Sequence, residues 1–223
     1  MTGSSAGETA DLRAAAVDAV TKLTSTVDRW MAIGVDGSEG AYPASTVGTF
    51  RGFGVDVVVS LAGGTVSTVP DPELPLAVLI AGWLRGTCAP DTELEVRTMS
   101  ADASSRHCTT LGAELRRELD ASSENWGLLV LADGANTLTA KAPGSFDERA
   151  DAVQQRVDDA LATADVDALV NLDVDLCAAV GVGGRAAWQV VAAAAGSDAM
   201  TATELYRGAP FGVGYFVGSW TRG

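Results

Sequence analysis

The chain is poor in the residues that most reaction chemistries need. It holds one histidine, His107, in 223 residues. A 2-His-1-carboxylate iron site needs two imidazoles, and a hydrolytic zinc site needs several nitrogen or sulfur ligands. A single imidazole cannot build the iron site, and the zinc site would need a scattered cysteine as well. Its three cysteines, Cys88, Cys108 and Cys177, lie far apart with no CxxC pair, which argues against a disulfide framework or a zinc ribbon. No strand–GxSxG–helix elbow is read, since the one GxSxG string, Gly3–Gly7, lies in a Ser/Gly-rich stretch, so a Ser-His-Asp triad has no support. Basic residues are few, 15 Lys+Arg against 29 Asp+Glu, for a net charge of −14. Such a surface repels phosphate, which disfavours nucleic acid and an anionic membrane as partners. The longest apolar run, Leu74–Trp83, is interrupted by Pro75 and is far too short to span a bilayer. The start, MTGSSAGETADLRAA, has neither the basic nor the apolar region of a secretory signal. A cytoplasmic protein is expected.

What is present is ordinary globular material, 47% hydrophobic and 20% charged, in a length that fits one large domain over residues 1–223. Thr9 to Val27 has helical periodicity, and Trp30–Val35 is a buried strand closed by Asp36-Gly37. Gly37–Gly54 reads as loop and Val55–Leu61 as a largely buried strand. Leu74–Leu84 is a helix with Pro75 in its first turn, where a missing N–H does no harm. Leu94–Met99 is a strand, and Ser104–Leu119 a helix capped by Ser104 or Ser105. WGLLVL, Trp126–Leu131, is apolar throughout and is expected at the centre of the sheet. Helices follow at Asp147–Ala162, Val166–Ala179 and Arg185–Ala195, then strands near Thr203–Arg207 and Gly212–Trp220. Alternating strands and helices predict an α/β fold: a three-layer α/β/α sandwich on a mixed, mostly parallel central sheet.

In such sheets ligands sit beyond the carboxyl ends of strands. The loop after WGLLVL therefore supplies the first candidates: Asp133, Asn136, Thr137 and Lys141, an acid, an amide, a hydroxyl and an amine. The same residues also read as a turn at Asp133-Gly134 with local backbone caps. GVGGR, Gly181–Arg185, opens a helix, and Arg185 with the helix amides would suit an anion. Its glycines equally suit a sharp joint between helices. His107 is expected as an exposed first-turn residue, and the acids Asp147, Glu148, Asp151, Asp158 and Asp159 as a solvated helix face. The aromatics Phe211, Tyr215, Phe216 and Trp220 fit either an oligomer interface or one core-facing side of a final strand.

The order WGLLVLADGANTLTAKAPGSFDERA, GVGGRAAWQVVAAAAG and APFGVGYFVGSW resembles the class III extradiol ring-cleavage dioxygenase superfamily. It is especially similar to an alanine-rich actinobacterial branch, and ETADLRAAAVDAV and PELPLAVLIAGWLR extend the likeness over nearly the whole chain. The resemblance implies a three-layer α/β/α domain. In active members it implies Fe(II) on two His and a Glu, a catecholic substrate with O2, and a further His as acid/base. Leu138 stands where the resemblance places that His, and Arg185 is the nearest charge to the expected Glu. The first metal His belongs to an N-terminal strand and loop, whereas this sequence opens in a helix. Three readings follow. The chain is a degenerate relative with no cofactor. Alternatively, it is a true Fe(II) dioxygenase whose missing ligands come from an upstream segment or a second subunit. In the third reading it is a non-catalytic binding module. A small anionic or aromatic ligand, a homo-oligomer or a second subunit are the expected partners.

Overall fold

The computed structural model describes residues 5–64 and 68–223. A turn of helix, α1 (Ser5–Glu8), and α2 (Ala10–Thr24) lead into β1 (Arg29–Asp36). Three short strands follow, β2 (Gly40–Tyr42), β3 (Val47–Thr49) and β4 (Val58–Ser60). The alternation then becomes regular: α3 (Leu76–Cys88), β5 (Leu94–Ser100), α4 (Ser105–Ala121), β6 (Trp126–Leu131). Four helices, α5 (Ala150–Thr163), α6 (Val166–Val170), α7 (Val174–Ala179) and α8 (Arg185–Ala195), precede β7 (Met200–Gly208) and β8 (Tyr215–Arg222).

The main sheet has the order β2-β5-β1-β6, with β1 parallel to both β5 and β6 and β2 antiparallel on the outer edge of β5. Side chains alternate across a strand. Trp30 and Ala32 of β1 therefore join Leu94 and Val96 in a core under α2 and α3, while Met31 and Ile33 face Cys108, Leu115 and Val190 of α4 and α8. Helices thus cover both faces, and this is an α/β fold on a mixed sheet. A third apolar cluster joins α5 to α8, and β7–β8 form a separate antiparallel ribbon against α2 and α5. Among the described residues no helix is long and apolar enough to cross a membrane.

Four local expectations need correction. β6 is an edge strand, and the central positions belong to β1 and β5. An apolar run reports that both faces are covered, and β6 is indeed touched by α3 and α8. It says nothing about whether both backbone edges are paired. Val55–Leu61 shrinks to β4, which pairs only with β3. Val59 and Leu61 are buried, but Val55, Val57 and Val58 are exposed. The stretch 37–54 is not all loop, since it holds β2 and β3. Finally, Val166–Ala179 is two short helices, each restarted by an aspartate, Asp165 and Asp173, whose carboxylate accepts from the third backbone N–H onward.

Candidate functional site

The parallel strands β1, β5 and β6 end on one side of the sheet, and the 132–149 connection leaves β6 there. This loop is held on three sides. Gly184 N donates to Asp133 O at 2.7 Å, and a side chain at Gly184 would meet Ala132 Cβ at 2.5 Å and Asp133 N at 2.8 Å. Gly181 has φ +70°, and the Asn136 Oδ1 lies where a Cβ would be. The buried Thr137 hydroxyl donates to Val180 O at 2.7 Å. Gly181 and Gly184 are therefore explained by close packing of the α7–α8 joint on the loop.

The other side is closed by the approach to β8. Gly214 N donates to Ala135 O at 2.8 Å and Leu138 N to Gly212 O at 3.2 Å. Gln154 of α5 is buried between these segments. Its Oε1 accepts from Ala135 N at 2.7 Å and its Nε2 donates to Asp158 Oδ1 at 2.8 Å. The amide end of Gln154 fills the space that side chains at Gly134 and Gly214 would need. Asp158 is itself buried rather than part of a solvated face, because it is the second acceptor in this chain of hydrogen bonds.

Asp133 lies two residues beyond the end of β6. Its carboxylate makes no hydrogen bond or ion pair among the described residues. It keeps accessible surface, and crowding by protein atoms raises its pKa by desolvation. The phenol of Tyr215, first residue of β8, is raised by burial and then by the nearby Asp133 charge and Tyr206. A carboxylate acceptor beside a protonated phenol donor can bind a hydroxyl group from both sides.

The sequence candidates therefore separate. Asp133 keeps accessible surface, while Asn136 and Thr137 fasten the loop. Lys141 is exposed and has no ion pair or side-chain hydrogen bond among the described residues. Arg185 does not join them. It is 2% exposed, with Nη1 on Gln189 Oε1 and Nη2 on Ala101 O, both at 2.7 Å, so it ties α8 to the end of β5 and is not free for an anion. Tyr215 was legible as an aromatic on a final strand but not as a neighbour of Asp133. Gln154 and Asp158 left a weak signal, two polar residues four apart among the apolar positions of a helix.

An Fe(II) triad does not fit these residues. Leu138 packs into the apolar cluster of α5–α8, Arg185 is a cation, and the exposed His107 of α4 pairs with Glu39 at 2.6 Å. Among the described residues no three His, Cys, Asp or Glu side chains converge. Two surface concavities, of about 440 and 640 Å³, are lined by neither Asp133 nor Tyr215. No family model matches the chain, and no curated protein does. A similar solved structure is that of the uncharacterized protein JW3007 from Escherichia coli K12, 11% identical, covering 90% of each chain with a TM-score of 0.50. That likeness extends to the fold alone.

Proposed function

We propose that this chain is a degenerate relative of the class III extradiol dioxygenases that binds a small hydroxylated aromatic ligand without opening its ring. The observation that carries the reading is the unpartnered Asp133 carboxylate beside the Tyr215 phenol, at the carboxyl end of a parallel strand. Asp133 accepts a ligand hydroxyl, and Tyr215 donates to an oxygen on the same ligand. The resemblance supplies the ligand class, and the unsuitable side chains of Leu138 and Arg185 remove the metal step.

The test is calorimetric titration of the protein with catechol, with and without Fe(II), beside Asp133→Asn. A lost hydrogen bond to a charged acceptor is worth about 1.5–3 kcal/mol. Catechol affinity should therefore be the same with and without iron and fall about ten-fold or more in the variant. Binding that requires Fe(II), or oxygen uptake on adding catechol, would overturn the reading in favour of a dioxygenase completed by ligands from elsewhere.

A further inference from the structure

Away from Asp133, Arg85 of α3 is 6% exposed and has no carboxylate within ion-pair distance among the described residues. Its Nε donates to Ser60 O at 2.9 Å, and its Nη1 to Pro90 O at 2.6 Å and Thr92 O at 3.3 Å. These bonds tie the end of β4 to the α3–β5 connection. Nη2 takes part in none of them and makes no hydrogen bond among the described residues. Nor is it sealed away, since among the described residues the buried side-chain nitrogens without a partner are those of Arg29 and Trp30. Arg85 lines the 440 Å³ concavity between the β3–β4 ribbon and α3.

A guanidinium removed from water without a counter-charge is unfavourable, and carbonyl dipoles on three of its protons compensate only in part. Burial pulls its pKa down, while the Asp91 charge, too far for an ion pair, pulls it up. Arginine remains charged at neutral pH. Trp83, a wall of the concavity, has the exposed Arg13 of α2 stacked 4.8 Å from its ring centre. The rest of the wall is mixed. Val47, Val59 and Trp83 are apolar, and the hydroxyls of Thr68 and Thr87 make no hydrogen bond among the described residues.

We propose that the concavity between the β3–β4 ribbon and α3 binds a small organic monocarboxylate with an apolar body, its carboxylate held by the free Nη2 of Arg85. Val47, Val59 and Trp83 favour an organic acid over inorganic phosphate, which has no apolar body to bury against them. The valines and Trp83 receive the body of the acid. Arg185, likewise buried and without an ion pair among the described residues, offers no such site, because both its terminal nitrogens are engaged.

The experiment is calorimetric titration of the full chain with benzoate, with its neutral isostere benzamide and with inorganic phosphate. Benzoate should bind at least ten-fold tighter than either. Arg85→Gln should bring the benzoate-to-benzamide ratio close to one. Because Arg85 also ties two connections together, Gly86→Glu provides a second variant. A Cβ at Gly86, an exposed position inside α3, meets nothing within 4 Å, and the new carboxylate on the wall of the concavity competes for Arg85. Its thermal melt should be no lower than the parent's, glycine being a weak helix former, and its benzoate affinity lower by ten-fold or more. No benzoate binding, equal binding of benzamide or phosphate, or unaltered benzoate affinity in Gly86→Glu would overturn the proposal.

Discussion

Asp158 offers a sharp test of the packing around the site. Its side chain is 5% exposed, accepts from Gln154 Nε2 at 2.8 Å, and has its pKa pushed from 3.8 up to about 6. Desolvation is the main cause, and the nearby Glu204 and Asp159 charges add to it. The Gln154 hydrogen bond and the Arg207 charge act in the opposite direction. The native carboxyl therefore holds its proton at pH values where the unfolded one has lost it. Between those values the native state binds more protons, so stability falls as pH rises. At low pH, with both states protonated, there is no penalty, and above the native pKa it is complete. A gap of about two pH units corresponds to about 3 kcal/mol. Asp158→Asn keeps an oxygen for Gln154 and removes the titration. The stability of the variant relative to the parent should thus rise between pH 4 and pH 7 by up to about 3 kcal/mol. With a urea m-value of about 2–3 kcal/mol/M, that is a relative midpoint shift of about 1–1.5 M. Urea unfolding of both proteins across this range reads it directly, and any constant offset from the altered hydrogen bonding drops out of the comparison. A difference independent of pH would refute the assignment of a desolvated carboxyl beneath the Asp133 loop.

Two further outcomes follow from the same packing. Gly184→Ala places a methyl 2.5 Å from Ala132 Cβ and 2.8 Å from backbone atoms of residues 132 and 133, which cannot swing aside. Urea unfolding should show a loss of about 1–3 kcal/mol, as for overpacked cores, and catechol binding should weaken with it. Among the thiols, Cys108 and Cys177 are buried with raised pKa values, whereas Cys88 is half-buried. A thiol reagent should modify one cysteine in the native protein and all three in denaturant, and a second fast native thiol would contradict this core.

The parts of the fold that were legible in the sequence are those where side-chain pattern and backbone geometry carry the same information. Trp126–Leu131 and Arg185–Ala195 were bounded from residues alone, and Ser104 was one of two expected caps and does accept from His107 N. The position of β6 in the sheet was not legible, because pairing of backbone edges leaves no mark on an apolar run. β2 and β3 were hidden for a related reason: three-residue strands containing glycine carry no alternation to read. At the site, proximity to a strand end singled out Asp133 and its loop. The fate of Arg185 depended on a tertiary fact, that Gln189 and Ala101 stand within reach of its guanidinium. Tyr215 reaches Asp133 only because β8 returns across the loop some eighty residues later.

Binding without ring opening requires that these side chains be unsuitable for Fe(II). The most direct measurement is elemental analysis of the purified chain after anaerobic incubation with Fe(II) and gel filtration. Well below one iron atom per chain is the expected result. Iron retained close to one per chain would mean that a ligand set exists which this fold does not display, and the ring-opening reading would replace the binding one.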